Sequence, residues 1–397
     1  MRGSIGLTGN QEGIGYYSYY NVYGSGYNYN GVPGLAFSSE MNNPDLTWEK
    51  TLQYGLGFDA ELLKGRILFT FDWFKKDTKD LLLTHDINGI SGFSSMTSNV
   101  GSLTNKGFEF SVQTDNLKGA LKWTTNFNIS FVKNEITGLY KNLNGEEVPI
   151  NTGSVNRLEV GQPLGAFYLI KALGVYQTKE EILSEKYGQE LWDKGIRPGD
   201  MKYYDKDGNG IYNDNDREIV GNPYPDFYGS LANKFAYKNF DLGVDLQFTY
   251  GNDIYSSWKT GNSAGHQGSA SNAILKSEWD DRWTSEGSGN SIPRAVAEGT
   301  ASAHNTLAGT SRYVEDGSFL RIKNVTLGYN LPTSILKKTG ISRCRAYATV
   351  NNLYTFTKYD GLDPEVTSSP SAATSRGVDM ATIPQLRSFV FGLNLSF

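Results

Sequence analysis

The sequence predicts an all-β protein whose strands form an antiparallel wall of a transmembrane β-barrel. Three observations carry that prediction: apolar residues recur with period two, the runs that carry the alternation are long, and short and long connections alternate along the chain. Composition agrees. Gly contributes 45 of 397 residues, Tyr 25 and Phe 20, while hydrophobic residues reach only 38%. That is the balance of half-apolar strands joined by polar, aromatic-rich links. No stretch approaches the roughly 20 consecutive apolar residues of a membrane-spanning helix.

The alternation defines ten strands in order, at 2–8, 51–63, 66–77, 106–116, 121–134, 226–238, 240–250, 318–331, 343–356 and 386–397. In the second, Leu52, Tyr54, Leu56, Phe58, Ala60 and Leu62 alternate with Thr51, Gln53, Gly55, Gly57, Asp59 and Glu61. In the third, Ile67, Phe69, Phe71 and Trp73 form the apolar set. Phe108, Phe110 and Val112 follow in the fourth, and Trp123, Phe127, Ile129 and Phe131 in the fifth. The seventh sets Phe240 to Tyr250 between Asp241, Gly243, Asp245, Gln247 and Thr249, and the last closes on Phe389, Phe391, Leu393, Leu395 and Phe397. A soluble sandwich buries such an apolar face against a second sheet; a membrane barrel turns it to lipid and its polar face to a wet lumen. Connection lengths discriminate. Short links fall at Lys64-Gly65, near Lys118-Gly119, at Lys238-Asn239 and over 332–343. Between them lie excursions at 9–50, 78–105, 135–225, 251–317 and 357–385. Short turns on one side and long links on the other belong to a barrel in an outer membrane. Trp48, Trp73 and Trp123, on or near strands, read as interface anchors.

The links have features of their own. Residues 16–30 (YYSYYNVYGSGYNYN) offer Tyr16, Tyr17, Tyr19, Tyr20 and Tyr23 as an aromatic surface for sugars or peptides, or else form a loop held by its own stacking. Trp258 joins these tyrosines as a candidate ligand contact. A helix is expected over 178–193, opened by a Thr178–Glu181 capping box, and a second over 271–284 carrying Trp279 and Trp283.

The sharpest local motif lies at 205–216, within the long 135–225 link. Asp205, Asp207, Asn209, Ile211 (through its carbonyl), Asn213 and Asp216 occupy positions 1, 3, 5, 7, 9 and 12 of a calcium-type loop with Gly210 at position 6. Calcium takes six to eight oxygens, which is why such a loop alternates oxygen donors. The alternative is an ion-free Asp/Asn/Gly turn, which the same composition favours. Asp at position 12 reaches less far than the usual Glu, and no flanking helix pair frames the loop. If Ca²⁺ binds, its role is to stiffen the link.

Several function classes are excluded or disfavoured. Lys+Arg total 37 against 42 Asp+Glu, so the net charge of −5 argues against a nucleic-acid binder. A lone Cys344 gives no intrachain disulfide and no cysteine-built zinc site, and His85, His266 and His304 lie far apart. Glu146-Glu147 and Asp280-Asp281 are adjacent acids of a solvated surface rather than an acid/base pair set apart across a cleft. No catalytic constellation emerges, and the protein reads as a non-enzyme.

The blocks YVEDGSFLRIKNVTLGYNLP (313–332) and NNLYTFTKYDGLDPEV (351–366) combine with a terminal strand closing on Phe397. Upstream lie NPDLTWEKTLQYGLGFD (43–59), NVGSLTNKGFEFSV (99–112), GQPLGAFY (161–168) and PGDMKYYDKDGNGIYNDNDREIVGNPYPDFYGS (198–230). In their order and spacing, the chain resembles the C-terminal part of a SusC/RagA-type TonB-linked transporter of the Bacteroidetes outer membrane. The resemblance implies a barrel of about 22 strands, of which this chain supplies about ten. It implies a SusD-like surface lipoprotein as partner, oligosaccharides or peptides as ligands, contact with outer-membrane lipid, and energy from TonB through an N-terminal part. The chain departs from the pattern in showing no signal peptide, TonB box or plug domain, and is expected to be a piece of such a protein. An open arc has two bare edges that lipid does not tolerate, so it is expected to close on itself, pair with another half or aggregate. Two other classes remain in view: a surface glycan-binding module without transport, and a small barrel enzyme or adhesin.

Overall fold

The computed structural model describes residues 1–20, 22–261, 274–296, 299–337, 340–365 and 373–397. Ten strands build the wall: β1 (Arg2–Asn10), β2 (Glu49–Leu62), β3 (Ile67–Asp86), β4 (Ser95–Lys118), β5 (Leu121–Gly138), β6 (Phe227–Tyr237), β7 (Phe240–Tyr250), β8 (Phe319–Asn330), β9 (Arg343–Thr357) and β10 (Ser388–Ser396). They pair in chain order, each antiparallel to the next, as the sequence predicts. Among the described residues β1 and β10 each pair on one side only.

Register converts the alternation into continuous rows. Phe69, Val112 and Phe127 stand side by side, then Phe71, Phe110 and Ile129, then Trp73, Phe108 and Phe131. Rings interlock within and between rows, with Phe69 on Phe110 at 4.8 Å and Phe108 on Phe131 at 4.6 Å. This face stays open: Phe391 is 79% exposed and Leu393 67%. The opposite face carries Asp72, Glu109, Asn126 and Asp241 at the intervening positions. Gly392 lies on that second face, where the Tyr347 ring covers it; a Cβ there would meet the ring at 2.4 Å, so a larger residue would displace the tyrosine.

The structure corrects several boundaries. β3 and β4 run well beyond 66–77 and 106–116, leaving only residues 87–94 as a tip where the sequence suggests a link over 78–105. Two register shifts between Lys79 and Leu82, with Asp80 at φ 59°, reset the alternation there, and the run Leu81-Leu82-Leu83 then loses period two. The 16–30 segment is partly a hairpin, Tyr23–Tyr29 against Val32–Phe37. Asn30 and Gly31 turn it at φ 49° and 83°, both left-handed as such a two-residue turn requires. The helix expected over 178–193 is two, Lys179–Ser184 and Gly188–Asp193. They fold back on one another so closely that a Cβ on Gly188 would sit 2.0 Å from the Ile182 carbonyl oxygen. The second expected helix is confined to Lys276–Asp280, residues 271–273 lying outside the described set.

Most of the buried core lies in the long links, and the wall joins it only near its link end, where Leu103 of β4 and Ile136 of β5 pack with Leu139 and Leu158. Val155, Phe167, Leu169, Tyr255 and Tyr313 form one cluster; Tyr176, Ile182, Leu191, Ile196 and Ala301 form another. Small sheets organise them, chiefly Arg217–Gly221 with Ala166–Ile170 and Asn156–Leu158. Asp200, with no exposed surface, knots the layers. It accepts two bonds from the Arg294 guanidinium at 2.8 and 3.0 Å, one from Asn305 at 2.7 Å and one from the Arg197 amide at 2.8 Å. Phe167 is fully buried in the first cluster. Phe167→Ala should therefore lower the local opening free energy of residues 150–221 by about 3–5 kcal/mol. Hydrogen exchange should show that loss in the links while protection in β3 to β5 stays unchanged.

Candidate functional site

The 205–216 loop joins the strand Met201–Tyr203 to the strand Arg217–Gly221. Backbone amides orient its carboxylates. Asp205 accepts from Gly208 at 2.8 Å, Asn209 at 3.1 Å and Gly210 at 2.8 Å. Asp216, fully buried, accepts from Lys206 at 2.9 Å and Asn213 at 2.8 Å. The result is convergence: ligand oxygens of Asp205, Asp207 and Asp216 all lie within 4.8 Å of one another. Gly210 takes φ 77° beneath the Tyr187 ring, which a Cβ would meet at 2.6 Å.

Of the six residues the sequence singles out, the structure brings three carboxylates together and ties the other three into turns. The Asn209 carbonyl oxygen accepts from the Ile211 amide at 2.7 Å, and its NH₂ donates to Asp207 at 2.9 Å. The Asn213 side chain caps the Asn215 amide at 2.8 Å and donates to the Ile211 carbonyl at 3.2 Å. Three convergent carboxylates are hard-cation chemistry. The loop is also wired into the link core through Tyr212, whose ring centre lies 5.5 Å from that of Tyr203 and 5.6 Å from that of His304. Burial pushes the Tyr212 hydroxyl pKa up. Burial also holds the His304 imidazole below its usual range, against the opposing effect of its 2.7 Å hydrogen bond with the Met201 carbonyl.

Among the candidate ligand aromatics, Tyr16, Tyr17, Tyr19, Tyr20 and Tyr23 are all exposed, Tyr16 to 95%. The Tyr19 and Tyr20 rings meet at 4.1 Å, tilted by 37°, and Tyr23 stacks on Phe37 at 4.5 Å, so part of this surface is held in place by its own rings. Trp258 is half-buried beside Lys259, in a different link. Among the described residues no ring contact joins it to the tyrosines.

Two constellations escape sequence reasoning. Arg321 of β8 is 2% exposed and donates to Glu365 at 2.6 Å, to Asp363, and to Thr355 at 2.9 Å. Gln385 joins both carboxylates, and Gln247 of β7 donates to Glu365 at 2.9 Å. The last long link is thereby pinned across the polar face of the wall. Beside it opens a cavity of about 460 Å³ lined by Tyr224, Tyr228, Gln247, Thr249, Glu365 and Arg376. The only sequence signal is that Arg321 and Asp363 fall inside the quoted blocks 313–332 and 351–366; nothing in their spacing pairs them.

A family model described as TonB dependent receptor-like, beta-barrel matches residues 13–353. The TonB-dependent receptor P3 of Formosa agariphila is 34% identical over 414 positions, covering 100% of the chain and 39% of that relative. The TonB-dependent receptor SusC of Bacteroides thetaiotaomicron is 30% identical over 367 positions, covering 89% of the chain and 32% of that relative. Among solved structures, one of the RagAB peptide transporter matches with a TM-score of 0.77 at 24% identity, over 100% of this chain and 40% of that one, which is a likeness of fold. The chain spans at most two-fifths of the length of these relatives.

His304 generates a pH prediction. Burial holds its folded pKa below the usual value of about 6.5, so below that pH the unfolded chain binds the extra proton and the folded links lose stability as pH falls. Link protection against proteolysis should decline from pH 7 to pH 5, and His304→Gln should flatten that decline while lowering protection at pH 7.

Proposed function

The chain belongs to the TonB-dependent receptor-like β-barrel family and lies in the outer membrane, and from that premise we propose that it forms part of the wall and the extracellular links of a SusC-like nutrient importer. The ligands are oligosaccharides or peptides, and a SusD-like lipoprotein meets the links from outside. TonB supplies the energy through parts beyond these ten strands. The observation that carries this reading is the two-sided wall. Its outward rows are aromatic, and its polar face bears the 460 Å³ cavity, where Gln247, Glu365 and Arg376 offer hydrogen bonds beside Tyr224 and Tyr228. Flat rings beside amide and charged groups suit sugar rings and peptide backbones alike.

A surface module that binds glycans without importing them is the second reading, favoured by the exposed tyrosines at 16–23. Uptake separates the two. In cells producing the intact protein, labelled oligosaccharide or oligopeptide should enter with TonB present and remain surface-bound without it. Binding with no TonB-dependent uptake of either ligand class overturns the importer reading.

The 205–216 loop holds one Ca²⁺ as a brace for the link core, its support being the three convergent carboxylates. Asp207 is the exposed member of the three, so Asp207→Ala probes affinity with little risk to folding. Ca²⁺ added to chelator-stripped protein should slow proteolysis of residues 171–221, and Asp207→Ala should raise the concentration required by at least about tenfold. Identical Ca²⁺ response in both proteins overturns this site.

A further inference from the structure

The outward face of β3 to β5 ends its aromatic rows in lysines. Directly beyond the row Trp73, Phe108, Phe131, and on the same face, Lys75 stands opposite Lys106 and Lys106 opposite Lys133. Slightly farther along, Lys50 of β2 stands opposite Lys79 of β3. These are three like-charge juxtapositions across neighbouring strands in a chain whose net charge is −5. Directly opposed like charges destabilise a sheet, and an anion placed between them offsets the repulsion by its attraction to both. Protein carboxylates supply only part of that balance. Lys75 reaches Asp77 at 2.8 Å, Lys50 reaches Asp80 at 2.9 Å, and Lys133 lies 3.8 Å from Glu135. Lys106, the exposed centre of the row, has no ion-pair partner among the described residues.

Position says which anion is available. The row lies on the long-link side of the wall, eight residues along β3 from Ile67, where the short β2–β3 turn ends. Eight steps cover about 26 Å of strand and roughly 20 Å of height at a tilt near 40°, close to the about 25 Å apolar band of outer-membrane barrels. The lysines therefore stand at the outer headgroup boundary. A groove of about 420 Å³ borders Lys106 and Lys133 together with Trp73, Phe108 and Phe131, with Asp226 as the one carboxylate in its lining, so apolar and cationic walls meet in one place.

We propose that Lys75, Lys106 and Lys133 form a docking site for the phosphate of an outer-leaflet lipid headgroup, with the acyl chains lying along Trp73, Phe108 and Phe131. Phosphate oxygens bridge ammonium groups that otherwise repel, and the lipid fixes the height of the wall in the membrane. The inference rests on the outer-membrane placement alone and is independent of which nutrient is imported.

The test uses the intact protein from outer membranes, exchanged into non-ionic detergent and then supplemented with lipid A, dephosphorylated lipid A or phosphatidylcholine. Lipid A should raise the melting temperature by several degrees, and the two lipids without net negative charge, dephosphorylated lipid A and zwitterionic phosphatidylcholine, should do so far less. The triple variant Lys75→Gln/Lys106→Gln/Lys133→Gln should lose that selective rise. Lys64→Gln/Lys118→Gln/Lys122→Gln, which removes three charges near the short-turn end, should keep it. Lys106→Gln alone guards against misfolding as the explanation. Without added lipid it should melt at or above the wild-type temperature, because the central repulsion is gone, yet respond less to lipid A. A lipid A response equal in wild type and both row variants overturns the proposal, as does an equal response to phosphorylated and dephosphorylated lipid. A protein that fails to reach the outer membrane would instead count against the placement itself.

Discussion

Backbone pairing in lipid is the constraint on which the rest of this structure depends. A hydrocarbon environment offers no partner to a peptide N–H or C=O, so each spanning segment must find its partners in neighbouring strands. That demand explains why ten strands pair with their sequence neighbours in unbroken order and why their links tolerate such different lengths. Among the described residues β1 and β10 each pair on one side only, and an unpaired edge is what a lipid-facing sheet does not accept. Side chains then act on a frame already fixed by hydrogen bonds.

Wall and links consequently solve different problems. The wall buries little of its own apolar surface; its rings await lipid on one face, and its polar groups line a wet interior on the other. The links must fold in water and do so as a soluble domain would, with packed clusters around Phe167 and Ile182 and buried charges held by several partners. Where the two meet, ionic knots do the joining. Removing one partner of a buried pair costs about 3–5 kcal/mol because the other charge is left stranded, so Arg321 with Asp363 and Glu365 is a firm anchor for the last link. The ligand-sized cavity beside that anchor has walls from both parts, which keeps its shape tied to the register of β6 to β8.

What the sequence made legible follows the same division. Period two exposed nearly all of the wall, since one face of each strand is apolar along its length. It failed where Asp80 bulges β3, because a single inserted residue exchanges the two faces and erases the pattern. The hairpin turning at Asn30-Gly31 went unread, because the tyrosine run before it reads first as low complexity. The acidic loop was visible because its carboxylates are close in sequence. Asp200 with Arg294 and Asn305, or Arg321 with Asp363, were not, because each pairing depends on how separate links cross in space.

The lysine row belongs to this last class, and magnitudes explain why the fold keeps it. Each directly opposed like pair opposes the sheet by about 0.2–1 kcal/mol. Relief through a one-residue slip of β4 would turn Phe108, Phe110 and Val112 from the lipid side to the polar side. Each such ring or branched side chain gains about 1.5–3 kcal/mol from an apolar environment. Three misplaced side chains outweigh two lysine contacts several-fold, so register is set by the apolar rows and the lysines are carried to their positions by it. The wall cannot remove that repulsion by shifting, and Asp77 and Glu135 balance it only in part, so the lipid phosphate proposed at that height would supply the rest.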